Sequence, residues 1–258
     1  MAPLRRVCAV LGDPVEHSLS PRLHNAGYAA LGLPFVYVAF RVPAGGGAAA
    51  VAALRALHLA GANVTMPLKE EVVAAADDRS LEVERLHAAN TLVVGADGRV
   101  SAHNTDVHGV RSALAGIGLA PRTVLLLGAG GAARAAADAL AGCRVYVSAR
   151  RPPRLASAVV LPWGAPPPEP VDVLINATPV GMDGRGNPAS LAQLGSAAAV
   201  FDMIYAPEVT PLLAAARAAG KPALGGLPML VHQAAASFEL FTGVPAPLPA
   251  LEDAARAP

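Results

Sequence analysis

Apolar and polar positions along the chain fall into two alternating periods. Short β-branched runs at 7–11, 35–40 and 62–66 predict strands, and the Ala/Leu-rich stretches between them, 21–31 and 48–58, predict helices. Residues 91–94 and 99–103, separated by Gly95-Ala96-Asp97-Gly98, predict a hairpin, so the first half is mixed rather than purely parallel. After a helix at 107–115 the pattern restarts: strand 123–127, a Gly-rich turn, helix 132–141, then strands 144–148, 171–176 and 200–204. A helix at 210–219, a short strand at 223–224 and helices at 229–241 and 248–255 close the chain. The expected fold is α/β with two domains, one built on a mixed, mostly parallel sheet and the other a Rossmann-type nucleotide-binding domain. The Pro-rich region 152–170 leaves little room for a crossover helix, so that part of the second domain reads as abbreviated.

Composition narrows the class of partner. A chain of 258 residues can bury a sizeable core as one large domain or two modest ones. Twenty Lys and Arg against nineteen Asp and Glu give a formal charge of +1, which offers no global field for nucleic acid or an anionic membrane. A small-molecule partner is expected instead. The uncharged stretch 222–238 is broken by Gly, Pro, His and Gln, so no membrane span is predicted. The apolar run 7–11 is too short for a signal-peptide core, and a cytoplasmic protein is expected. Cys8 and Cys143 sit in apolar segments far apart and read as reduced thiols; the seven histidines show no metal spacing. Lysine is confined to Lys69 and Lys221 in a chain whose basic residues are otherwise Arg. Lysine can exchange its proton near neutral pH when its surroundings lower its pKa, whereas arginine cannot, so each lysine raises a functional question.

The motif Gly128-Ala129-Gly130-Gly131-Ala132-Ala133 follows an apolar strand and opens a helix, as the dinucleotide fingerprint requires. Gly128 permits the tight turn, Gly130 lets backbone approach a pyrophosphate, and the helix start offers free N–H groups. At the end of the next strand, where a carboxylate would read a free ribose 2′-hydroxyl, the chain has Ser148-Ala149-Arg150-Arg151 with Arg154 following, which favours NADP over NAD. His17-Ser18-Leu19-Ser20-Pro21 places two hydroxyls at a helix mouth, where Ser20 serves either as an N-cap or as part of a carboxylate site. In Asn63-Val64-Thr65-Met66-Pro67-Leu68-Lys69-Glu70, Asn63 and Thr65 face one side of a strand, and Pro67 is expected to start a helix with Lys69 in its first turn. A cation is disfavoured there, which argues against a solvated surface lysine. Lys221, after a helix and Gly220, fits an ordinary C-terminal role. The hairpin brings Ala89-Asn90-Thr91 beside His103-Asn104-Thr105-Asp106; Asp106 is locally as good a helix cap as a functional group. Gln233, one of two glutamines, stands in the last polar cluster, Val231-His232-Gln233.

Taken in order, these segments resemble the shikimate dehydrogenase family from residue 7 to 243. The resemblance implies a substrate domain from residues 1–106 and 226–258, an NADP-binding domain at 107–225, and an active site in the cleft. It implies that Ser18 and Ser20 bind the substrate carboxylate and that Asn63, Thr65, Asn90, Asp106 and Gln233 hold the ring hydroxyls. Tyr205 in Asp202-Met203-Ile204-Tyr205 would line the same site, and Asn176-Ala177-Thr178-Pro179 resembles the loop beside the nicotinamide. Gly128, Ala129, Gly130, Gly131, Ala132, Arg150, Arg151, Arg154, Thr178, Met203 and Gly226 would contact NADP. Lys69 and Asp106 would be catalytic in the NADPH-dependent reduction of 3-dehydroshikimate to shikimate, on the route to chorismate and the aromatic amino acids, in a monomer or homodimer. Ala149 and Arg151 depart from an Asn-Arg-Thr pattern, Leu68 replaces a commonly polar residue, and Leu240-Phe241 stands where a Trp is frequent. A quinate or aminoshikimate dehydrogenase and a non-catalytic NADP/shikimate sensor are the competing readings; a folate-linked dehydrogenase is a distant one.

Overall fold

The computed structural model describes residues 5–151, 155 and 158–257. It divides into two compact units, Met1–His108 with Val231–Pro258, and Gly109–Leu230.

The first unit is organised on a six-stranded mixed sheet. In chain order its elements are β1 (Arg6–Gly12), α1 (Ser20–Ala30), β2 (Phe35–Arg41), α2 (Gly47–Ala56), β3 (Gly61–Val64), α3 (Glu71–Ala75), β4 (Asp78–Arg79), α4 (Leu81–Leu86), β5 (Thr91–Val94) and β6 (Val100–His103). Helix α5 (Asp106–Gly116) leaves this unit for the next. The strand order is β2-β1-β3-β5-β6-β4, with β3, β5 and β6 antiparallel to one another in turn and the remaining pairs parallel. Both faces of β1 are buried, as expected for a central parallel strand. Ala9 and Leu11 face Val51 and Leu54 of α2 and Val72 of α3, whereas Cys8 and Val10 face Tyr28 of α1 and Phe238 and Phe241 further along the chain. The period-2 alternation thus divides the core into two layers.

The second unit carries β7 (Thr123–Leu127), α6 (Gly131–Ala139), β8 (Arg144–Ser148), β9 (Val159–Leu161), β10 (Val171–Asn176), α7 (Leu191–Ser196), β11 (Ala197–Asp202), α8 (Pro211–Ala218) and β12 (Ala223–Leu224). All six strands are parallel in the order β12-β11-β10-β7-β8-β9. Read from β9, this is the doubly wound order 3-2-1-4-5-6, whose switch point lies between β7 and β10. Leu125, Leu127, Leu174 and Val200 on one face of the sheet pack with Leu194 of α7 and Leu212 and Leu213 of α8. The chain returns through α9 (Leu227–Thr242) and ends in α10 (Leu248–Arg256) in the first unit. Among the described residues no helix is long and apolar enough to cross a membrane.

Two local expectations are corrected. The helix after Pro67 begins only at Glu71, so Lys69 lies in the preceding turn and Glu71 takes the first helical turn, where a carboxylate is favoured. The α1 cap is Leu19, with no side-chain cap bond, and Ser20 is the first helical residue. Four short elements, β4, α4, β9 and α7, add to those anticipated. Lys221 follows α8, but its Nζ donates to the carbonyls of Gly195 near the end of α7 and Ala197 at the start of β11 rather than to its own helix. Both cysteines are free.

Candidate active site

In the first unit the sheet register gathers a lattice of amides and hydroxyls. Asn63 on β3 stands opposite Thr91 on β5, and Thr91 stands opposite His103 on β6, so the segment leaving β6 passes Asn90. Lys69 Nζ donates to Asp106 Oδ2 at 2.6 Å, and the other carboxylate oxygen accepts from Asn90 Nδ2 at 2.8 Å. The Lys69 side chain is 21% exposed and that of Asp106 8%, so the pair is shielded but reachable. Asn104 Oδ1 accepts from the Asp106 N–H, which caps the helix start and leaves the Asp106 carboxylate free to meet Lys69 and Asn90. Capping therefore falls to Asn104, and the alternative role of Asp106 as a helix cap is not realised.

Asn90 is the centre of this lattice. Its Oδ1 accepts from the Thr105 N–H at 2.8 Å and the Thr91 hydroxyl at 2.9 Å, while Nδ2 also reaches Thr105 Oγ1 at 3.0 Å and Gln233 Oε1 at 3.4 Å. These bonds fix the amide orientation by demanding an acceptor on one side and a donor on the other. Asn63 extends the set: Nδ2 donates to Thr91 Oγ1 at 3.0 Å and Oδ1 accepts from the Tyr37 hydroxyl at 2.6 Å. Burial pushes the Tyr37 hydroxyl well above its usual range, against a bond from the Asn63 backbone and one from the Ser20 side chain that favour its ionised form. Its backbone is clamped to the Asn25 side chain by two bonds of 2.9 Å. Behind it His24 stacks on the Tyr37 ring at 4.3 Å, fully buried, and burial lowers its imidazole to about 3.

Lys69, Asp106, Asn90, Gln233, Asn63 and Ser20 thus form one connected set through Thr91, Thr105 and Tyr37, none of which the sequence reading assigned. Ser18 joins it through the Ser20 N–H, which donates to Ser18 Oγ at 3.3 Å. Thr65 is held by its backbone N–H to the Leu11 carbonyl at 2.8 Å, at the end of β1. Thr91 and Thr105 stand inside the Asn-Thr and Asn-Thr-Asp motifs and were readable there; Tyr37, in a strand of alternating apolar residues, reads as core.

In the second unit the Gly-rich turn leaves β7 at the switch point. Gly128 has φ +113, and a Cβ there would stand 3.0 Å from the Ala177 carbonyl oxygen, so the turn and the 176–182 loop after β10 pass in close contact. A Cβ on Gly130 would meet nothing within 4 Å, which leaves backbone open to an incoming group. Helix α6 has Gly130 as its cap, without a side-chain cap bond, and its first intrahelical bond is Arg134 N–H to the Gly130 carbonyl. The N–H groups of Gly131, Ala132 and Ala133 precede that bond and form the positive end of the helix, with Ala129 in the turn before them.

The 176–182 loop is tied to the end of β11 by a buried carboxylate. Asp202 accepts from Asn176 Nδ2 at 2.9 Å, the Ile204 N–H at 3.1 Å and the Thr210 hydroxyl at 2.6 Å. Desolvation raises its pKa despite those donors. Thr178 donates through N–H and hydroxyl to Asn176 Oδ1, Met203 N–H donates to the Asn176 carbonyl, and Gly226 N–H donates to the Ile204 carbonyl. A Cβ on Gly226 would overlap the Met203 carbonyl. Tyr205 follows in the same unit, its hydroxyl raised by burial. Thr178, Met203, Tyr205 and Gly226 therefore share one knot, whose organiser, Asp202, the sequence reading passed over. Arg150 and Arg151 stand just past β8, and Arg154 lies outside the described residues. Among the described residues no group of His, Cys, Asp and Glu is arranged to hold a metal ion.

A parallel sheet in doubly wound order with a glycine turn at its switch point, accompanied by a unit whose lysine–carboxylate pair is set among fixed amides, defines the class: a dinucleotide-linked α/β protein with an acid–base site for a polar small molecule. Comparison with known proteins makes this specific. Residues 10–92 match the model of the shikimate dehydrogenase substrate binding domain, and residues 226–256 match that of the shikimate 5′-dehydrogenase C-terminal domain. The chain is 42% identical to a shikimate dehydrogenase (NADP(+)) of Halorubrum lacusprofundi over 97% of its own length and 98% of that protein's. It is 42% identical to one of Citrifermentans bemidjiense over 98% and 95% of the two lengths. The crystal structure of shikimate 5-dehydrogenase from Thermus thermophilus in complex with NADP(H) and shikimate superposes with a TM-score of 0.87 at 36% identity, covering 97% of this chain and 98% of that one. The chain belongs to the shikimate dehydrogenase family.

Proposed function

We propose that the protein catalyses the reversible NADPH-dependent reduction of 3-dehydroshikimate to shikimate. The observation that carries the reading is the Lys69–Asp106 pair at 2.6 Å inside the Asn90 lattice, in a chain that matches NADP-dependent shikimate dehydrogenases over nearly its whole length. Residues 1–106 with 226–258 serve the substrate and 107–225 the cofactor. The first assignment is supported by the substrate-binding family model on residues 10–92, the second by the glycine turn at the β7/β10 switch point.

The residues past β7 and β8 fit a phosphorylated dinucleotide. Gly130 offers open backbone where a Cβ would stand, the α6 start presents N–H groups to a pyrophosphate, and Arg150 and Arg151 bring cations and no carboxylate to the ribose-reading position. Gly128 to Ala132, Arg150, Arg151, Arg154, Thr178, Met203 and Gly226 would hold NADP. When bound, NADPH supplies the hydride that turns a carbonyl carbon into a carbinol.

The protein's part is to bind, orient and move one proton. Ser18 and Ser20 receive the substrate carboxylate, and Asn63, Thr65, Asn90, Gln233 and Tyr205 take the ring hydroxyls; a substrate lacking one would leave a buried partner unpaired. As the carbonyl oxygen becomes negative, Lys69 Nζ gives it a proton, and in the oxidative direction the neutral amine takes the proton back. Asp106 accepts from Lys69 on one oxygen and from Asn90 on the other, which keeps Nζ in place and offsets its charge. The reading places the protein in the cytoplasm as a monomer or homodimer, with Cys8 and Cys143 as free thiols.

The test is the initial rate of NADPH formation with shikimate and NADP+, repeated with NAD+, with quinate and with Lys69→Ala. Turnover that requires shikimate and NADP+ and falls in the variant by about 10²–10⁴-fold, while shikimate still binds, is the expected result. No turnover with any pair by the wild-type protein would sink the assignment.

A further inference from the structure

Tyr37 enters neither the substrate contacts nor the proton transfer described above, yet three side chains of α1 converge on it. Asn25 holds its backbone: Nδ2 donates to the Tyr37 carbonyl and Oδ1 accepts from its N–H, each at 2.9 Å. His24 stacks on the ring at 4.3 Å with an interplanar angle of 11°. The Ser20 side chain donates to the hydroxyl. From edge strand β2 the ring packs with Cys8 and Val10 of β1, and its hydroxyl reaches Asn63 Oδ1 on β3 at 2.6 Å. Phenylalanine would fill that apolar position, and a buried hydroxyl is costly unless it is bonded. The oxygen is therefore there for its partners.

Donor and acceptor capacity shows what it does for them. Asn63 Nδ2 commits both its protons inside the protein, to Thr91 Oγ1 at 3.0 Å and the Asn90 carbonyl at 3.3 Å. What Asn63 can offer a substrate is its amide oxygen, which takes two donors. Tyr37 supplies one. The Ser237 hydroxyl lies 3.5 Å from the same oxygen, but its single proton serves the carbonyls of Gln233 and Ala234, each at 3.1 Å. The groups facing the Tyr37 lone pairs, the Ser20 side chain and the Asn63 backbone, are donors, so the Tyr37 proton is left for Asn63 Oδ1. Burial keeps the phenol neutral and that proton in place. One acceptor direction on Asn63 stays open, and a ring hydroxyl fills it as a donor.

We propose that Tyr37 is a positioning residue for the substrate: its hydroxyl occupies one side of the Asn63 oxygen and ties Asn63 to Ser20, fixing the spacing of the hydroxyl and carboxylate contacts. The proposal rests on the shikimate reading above and adds to it a residue that acts through Asn63. Without the Tyr37 hydroxyl, Asn63 and Ser20 each lose a partner, and the two contacts are no longer held in place before substrate arrives, which weakens binding.

Tyr37→Phe removes one oxygen and keeps both the His24 stack and the Asn25 clamp, which holds backbone. Initial rates should show the KM for shikimate raised by about tenfold, what one buried hydrogen bond is worth, with kcat and the KM for NADP+ nearly unchanged. A double-mutant cycle with Asn63→Ala separates positioning from general support of the fold. A residue acting through Asn63 has little left to lose once Asn63 is gone, so in that background Tyr37→Phe should change the shikimate KM by less than about twofold. In the wild-type protein the Tyr37 hydroxyl proton should give a slowly exchanging, downfield proton resonance with a nuclear Overhauser contact to the Asn63 side chain, and it should persist when shikimate binds. A wild-type shikimate KM in Tyr37→Phe, additive losses in the cycle, or a hydroxyl proton that leaves Asn63 on binding would overturn the role of Tyr37 and leave the dehydrogenase reading intact. If the wild-type protein turns over no shikimate, both fall.

Discussion

At the scale of single residues the chemistry turns on one lysine held by one carboxylate. Lys69 sits before α3 rather than in it, so its position is set by the pair with Asp106 and not by a helix. Lys69→Arg tests what that pair is for. The guanidinium keeps the positive charge and a bond to Asp106 but does not give up a proton near neutral pH. Shikimate affinity should change little, whereas kcat should fall by about 10²–10⁴-fold, the contribution of a positioned acid. Retained kcat would mean that Lys69 acts only through its charge. This much of the site was legible from rarity and motif: a lysine in an arginine-using chain, and polar residues in strands that should be apolar. Tyr37, His24 and Asp202 were not. An aromatic residue in an alternating strand and a carboxylate three residues before a named tyrosine look ordinary until the register shows what they face. Tyr37 holds Asn63, and Asp202 holds the ends of two strands.

At the scale of elements, the shortest pieces position the most specific features. Helix α7 has six residues, too few to persist by propensity alone. It is fixed by a capping box in which Ser190 Oγ accepts from the Gln193 N–H and the Gln193 side chain accepts from the Ser190 N–H. The same hydroxyl donates to the Gly164 carbonyl and so steadies the loop after β9 that carries Trp163, the only tryptophan in the chain. Ser190→Ala should cost about 1 kcal/mol in the second unit and lower its melting midpoint by a few degrees, followed by Trp163 emission. An unchanged midpoint would show that Leu194 packing alone holds the helix. The Ser190-x-x-Gln193 signature is present in the sequence, as is Ser80 before α4, whose hydroxyl accepts from the Val83 N–H. Both helices were missed because each spans less than two turns, where a 3.6-residue period has no room to repeat. Strands β4 and β9, of two and three residues, fail for the same reason at period 2. The long strands of both sheets and helices α1, α2, α6 and α8 had enough repeats to be read within a few residues of their ends.

At the scale of the whole molecule, titratable groups are divided unevenly, and stability should follow pH differently in the two units. All seven histidines lie outside residues 109–230. In the first unit burial lowers His24 to about 3 and also lowers His103 and His232, the latter with help from His108. Both ring nitrogens of His24 are buried without a hydrogen-bond partner, so no hydrogen bond among the described residues stabilises its charged form. An unfolded chain takes up protons on these rings as pH falls below about 6.5, and the folded His24 does not until near 3. Stability is therefore full above the unfolded value and is lost on acidification through that window. His24 alone contributes a slope approaching about 1.4 kcal/mol per pH unit below 6.5. The second unit has no histidine, and Asp202, held above its ordinary value, binds its proton more readily when folded. Glu169 and Asp172, held below their ordinary values by hydrogen bonds, lose that stabilisation only as pH falls through the carboxylate range, so between pH 7 and 5 acidification does not weaken that unit as it does the first. Native-state hydrogen exchange between pH 7 and 5 should show β1 and β3 losing protection while β7 and β10 keep theirs, and His24→Leu should flatten the slope of the first unit. Equal losses in both units, or an unchanged slope in the variant, would place the acid sensitivity elsewhere. The outcome bears on the site as well, because His24 stacks on Tyr37, and Tyr37 fixes Asn63. A protonated His24 would have to leave that stack for water, and the substrate-side lattice would lose its back wall before the nucleotide unit begins to yield.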